Sequence, residues 1–121
     1  MLSGENGREH SGSALRPVVT GAIIGVLLGF GAIFLALLST GAGHGDYAAA
    51  RALYPASMLL TLVEGSIGPL AKAVALLQFP FYGGLLGWAA ARRVYLPAVG
   101  VGLLHLAGAI ICFSGVLPNF S

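Results

Sequence analysis

Charged side chains are scarce in this chain: Asp, Glu, Lys and Arg together supply 8% of its 121 residues, against about 25% in an ordinary soluble domain. A water-soluble fold of this size would lack the polar surface to cover itself. The six basic and four acidic residues are scattered singly or in pairs. No basic stripe therefore runs along the chain to neutralise phosphates, and nucleic acid is not an expected partner. Cys112 is the only cysteine, which rules out an internal disulfide and any multi-thiolate metal site. GxSxG, HExxH and Walker patterns are absent. No enzyme class is nominated, and no catalytic residue, metal or cofactor is expected.

What the chain has instead is apolar length. Hydrophobic residues make up 57% of it and its mean hydropathy is +0.91. Residues 1–16, MLSGENGREHSGSALR, are polar and Gly/Ser-rich without apolar periodicity, and read as a disordered polar tail. Residues 17–121 read as a single transmembrane helical domain. The run PVVTGAIIGVLLGFGAIFLALLS meets the roughly 20 residues needed to cross a hydrocarbon core. It is too long for the apolar segment of a secretory signal and is expected to stay as an uncleaved anchor.

GAGHG then breaks the helix, and Asp46 is placed to cap the next one. Pro69 suits the first turn of a third helix, expected to kink near Pro80, and Pro97 opens a fourth. The expected fold is thus an all-α membrane protein with four transmembrane helices at about 17–39, 46–65, 68–93 and 96–116. The Lys/Arg distribution leaves an alternative open. With four spans, Arg8, Arg16 and Lys72 lie on one side and Arg51, Arg92 and Arg93 on the other, a tie that gives no orientation. With three spans and a re-entrant or interfacial second helix, Arg8, Arg16, Arg92 and Arg93 share one side.

Apolar surfaces have little drive to pair in lipid, so small residues mark helix contacts. Gly21, Gly25 and Gly29 with Ala32 and Ala36 recur at spacings of three and four along the first helix, and Gly83 and Gly87 with Ala91 form a second stripe on the third. In the second helix, Tyr47, Arg51, Tyr54, Ser57, Thr61 and Glu64 fall on one face and an apolar set covers the other. His105 lies mid-way along the fourth helix among Ala98, Val101, Gly102, Gly108, Ala109 and Cys112.

Two polar groupings follow. Counting about 1.5 Å per residue from the helix ends puts Tyr54, Ser57, Gln78, Tyr82 and His105 at similar depth, a midplane polar cluster. An ionisable residue there points to function. The simpler reading is a neutral His105 hydrogen-bonded to its neighbours for about 1 kcal/mol. With four spans, His44, Asp46, Arg51, Arg92 and Arg93 would share one membrane face, either as an anion or headgroup site or as a turn in which Asp46 caps a helix and pairs with an arginine. Glu64 and Lys72 bracket the opposite loop as an interfacial pair.

The stretch GHGDYAAARALYP after the first span, followed by QFPFYGGLLGW, resembles a group of short bacterial membrane proteins of uncharacterised function. That resemblance implies a bacterial inner-membrane setting and no activity. The small multidrug-resistance transporters carry a carboxylate within their first helix; residues 18–39 have none, which sets this chain apart from them. The expected function is a non-enzymatic accessory or interaction subunit or a homo-oligomer, with the lipid bilayer and other membrane helices as partners. The alternative is a minimal small-molecule or proton-linked transporter using the midplane cluster.

Overall fold

The computed structural model describes residues 6–41 and 47–117, with side chains from residue 14 onward. All its elements are helices: α1 Asn6–Ser39, α2 Ala48–Leu53, α3 Pro55–Glu64, α4 Pro69–Arg92 and α5 Leu96–Phe113. Three are long and apolar enough to cross a membrane, in the segments Ala14–Ser39, Pro69–Arg92 and Leu96–Phe113. Their outward residues are large and apolar: Leu27 is 67% exposed, Phe30 65% and Leu104 74%. Such surfaces suit contact with lipid. Helical backbone begins at Asn6, reaching back into the stretch read as a polar tail. Extending an existing helix adds a hydrogen bond per residue without a new nucleation cost.

The seam between α1 and α4 is the most extensive in the molecule, and glycine makes it. A Cβ at Gly21 would collide with the Gly83 carbonyl, one at Gly25 with the Phe79 carbonyl, and one at Gly87 with the Pro17 carbonyl. Each step of four residues along α1 matches a step of four back along α4, so the two helices run antiparallel with their backbones in contact. Missing side chains permit this approach and the dispersion and Cα–H···O contacts it brings. The two stripes are therefore halves of one interface within the chain. Pro80 lies inside α4 without ending it.

The expected second helix is not continuous. It stops at Leu53, Tyr54 leaves the helical region at φ −128° and ψ 52°, and α3 restarts at Pro55. Pro55 has no N–H to donate back along the helix, and its ring disfavours helical backbone in the residue before it. Neither piece reaches spanning length. Both ends of the α2–α3 pair lie at one end of the bundle: Thr40 at the exit of α1, Tyr47 before α2, Ile67 after α3 and Lys72 on α4 line a single cleft. Ala50, Met58, Cys112 and Leu117 form a small core there, backed by Ala36, Tyr47 and Leu59. At the same end Glu64 accepts from the amides of Leu70 and Ala71 at 3.1 and 3.0 Å. It caps α4 where an interfacial pair with Lys72 was expected. Between its ends the pair reaches inward, and the Leu53 carbonyl meets Gln78, nine residues and about 13 Å into α4. The pair is a helical hairpin inserted to mid-depth between α1, α4 and α5.

Candidate functional site: the broken helix at mid-depth

A helix break inside an apolar bundle exposes carbonyls that a continuous helix would satisfy, and in lipid each such group costs several kcal/mol if left alone. A continuous helix would give the Ala52 and Leu53 carbonyls to the amides of residues 56 and 57. Here they accept from side chains on other helices. Gln78 Nε2 of α4 donates to the Leu53 carbonyl at 2.7 Å, and His105 Nε2 of α5 lies 3.0 Å from the Ala52 carbonyl. A carbonyl oxygen can only accept, so Nε2 carries the proton. In the neutral ring, Nδ1 then accepts from the Tyr82 hydroxyl at 2.9 Å, with the two rings edge to face at 5.6 Å. Cys112 Sγ donates to the Pro55 carbonyl at 3.6 Å, a long sulfur contact on the far side of the break.

The remaining cluster residues tie the hairpin to its walls. Tyr54 donates its hydroxyl to the Gly29 carbonyl at 2.9 Å and packs edge to face on Phe79 at 5.3 Å. Ser57 donates to the Ala71 carbonyl at 2.6 Å, and Thr61 bonds within its own helix to the Met58 carbonyl at 2.5 Å. The polar stripe of the second segment thus faces protein: Tyr54, Ser57 and Thr61 are buried. Two atoms break the pattern. Gln78 Oε1 and Arg51 Nε are buried with no hydrogen-bond partner.

Tyr54, Ser57, Gln78, Tyr82 and His105 all meet the hairpin or the pair that holds it, and the signal that would have located the break is Pro55 in mid-helix. The backbone carbonyls of Ala52 and Leu53 are the partners that sequence reasoning missed, since only the broken geometry exposes them. Gly29 belongs to both the α1–α4 seam and the polar cluster: its carbonyl holds Tyr54, and a Cβ there would lie 3.3 Å from the Phe79 side chain. Along α5, Ala98, Val101, His105, Gly108, Ala109 and Cys112 all turn inward, whereas Gly102 is exposed.

The proposed headgroup set does not converge. Arg51 follows Ala50 of the hairpin-end core, while Arg92 and Arg93 terminate α4, a helix about 36 Å long that begins at that end. Arg51 therefore lies away from Arg92 and Arg93; the expectation rested on a continuous second helix, and this one is broken at Tyr54. His44 and Asp46 lie outside the described residues.

Beyond the hairpin tip, the space between α4 and α5 holds a cleft of about 390 Å³. Leu53, Phe79, Tyr82, Leu85, Val101 and His105 are among its walls. No protein-family model matches this chain, and neither a curated protein nor a solved structure matches it.

Proposed function

We propose that this chain is a three-span membrane protein with a re-entrant helical hairpin, and that it works by interaction, as an accessory subunit or a homo-oligomer, without catalysing a reaction. The observation that carries this reading is how the mid-depth polar groups are spent. Gln78, His105, Tyr54 and Ser57 all engage backbone carbonyls, so the cluster works as the fastening of a broken helix. The Lys/Arg distribution supports the hairpin. Arg16, Arg92 and Arg93, with Arg8, then share the α4–α5 loop side, which the positive-inside rule makes cytoplasmic. The resemblance to short bacterial membrane proteins supports a bacterial inner membrane as its setting.

A second reading, a minimal carrier of small molecules or protons, draws support from the break itself. Discontinuous helices at mid-depth are where secondary transporters bind substrate. His105→Gln separates the two. An amide can donate to Ala52 and accept from Tyr82, so a fastening role predicts a folded protein with its cellular function retained. A folded His105→Gln protein that has lost that function entirely would favour the carrier, which needs an imidazole to gain and lose a proton.

A further inference from the structure

Two clefts adjoin at the half of the bundle that the hairpin does not fill. One, of about 390 Å³, lies between α4 and α5; the other, of about 490 Å³, is a groove running alongside the α1–α4 seam. They share Phe79, Tyr82 and Leu86 as a common floor. The helices α1 and α5 do not contact each other across this floor. Space remains partly because α5 presents little bulk: a Cβ at Gly102 would meet nothing within 4 Å. Volumes of this size are those of ordinary small-molecule sites, and the walls are apolar except at Tyr82 and His105.

The fastening of the hairpin fixes what polarity this site offers. His105 Nε2 must donate to the Ala52 carbonyl, so in the neutral ring Nδ1 accepts a hydrogen bond from the Tyr82 hydroxyl. Both ring nitrogens and the phenolic hydrogen are then committed. Tyr82 lines the cleft, and with its hydrogen given to Nδ1 its oxygen can only accept from a further partner. We infer that the cleft floored by Phe79, Tyr82 and Leu86 binds an apolar small molecule carrying a hydroxyl, which donates to the Tyr82 oxygen. A compound of the same shape that offers only acceptors finds no partner at that wall and leaves its own polar atom unsatisfied, the asymmetry that gives hydrogen-bonding sites their discrimination.

The test uses the full chain purified in detergent, with 2-naphthol as probe, 2-methoxynaphthalene as its acceptor-only counterpart, and quenching of the lone Trp88 as readout. Saturable binding of 2-naphthol, about tenfold tighter than the methoxy compound, is expected. Tyr82→Phe should bring the two to equal affinity. Gly102→Leu fills open space, so it should abolish binding of both while the unfolding temperature holds. The second variant keeps the test valid if loss of the tyrosine hydroxyl disturbs the hairpin. Equal binding of the two compounds by the native chain would overturn the inference, as would quenching that Gly102→Leu leaves intact. Co-purifying phospholipid that 2-naphthol fails to displace would overturn it too, by making the cleft a lipid-chain groove.

Discussion

The two halves of the bundle are built on opposite principles. Toward the α4–α5 loop, α1 and α4 meet backbone to backbone because Gly21, Gly25, Gly83 and Gly87 carry no side chains to keep them apart. Toward the α3–α4 loop, the same helices enclose a hairpin whose Tyr54 and Ser57 reach α1 and α4 through hydrogen bonds. One half is cemented by missing side chains and the other by polar ones. The difference shows how a chain short of charge still specifies a fold in lipid: close packing supplies the general adhesion, while a few hydrogen bonds to exposed carbonyls decide where the backbone breaks.

The largest effect is expected from attacking the glycine half. Gly25→Ile places a branched side chain against the Phe79 carbonyl and Pro80, where only backbone movement could make room. Its cost should exceed the about 1–3 kcal/mol of ordinary overpacking, read as a fall in unfolding temperature in detergent with loss of the compact species on gel filtration. Gly31→Ile is the control, since a Cβ there meets nothing within 4 Å. It should behave as the native chain. Equal behaviour of the two variants would remove the seam.

A smaller effect is expected in the polar half. Gln78→Leu keeps the volume and removes the donor to the Leu53 carbonyl, leaving that group unsatisfied at mid-depth for about 1–3 kcal/mol. The penalty is partly offset, because Gln78 Oε1 has no partner and its removal relieves a buried acceptor. A stability unchanged from the native chain would mean that the carbonyl finds another donor and that Gln78 is not a fastening.

Much of this was legible in the sequence. Spacings of three and four are geometric facts about helices, so the stripe of Gly21 and Gly25 and that of Gly83 and Gly87 could be read without a structure. That the two stripes face each other could not, because nothing local encodes which helices meet. The depth of Gln78, Tyr82 and His105 followed from counting residues along their helices. Their partners did not: Gln78 and His105 bond to backbone, and backbone carbonyls become available only where a helix fails. Pro55 carried that information. Residues 53–63 are apolar enough to insert, and hydropathy does not distinguish crossing from turning back. The grouping of Arg51 with Arg92 and Arg93 rested on a second helix that crosses.

The central claim is that residues 47–64 enter and leave the bundle at the same end, and accessibility labelling tests it most directly. In a Cys112→Ala background, single cysteines at Gly41, Ser66 and Val94 would be probed with a membrane-impermeant thiol reagent in sealed vesicles. A re-entrant hairpin predicts that positions 41 and 66 label from one side and position 94 from the other. Labelling of 41 and 66 from opposite sides would mean that the second segment crosses the membrane, and would contradict the account.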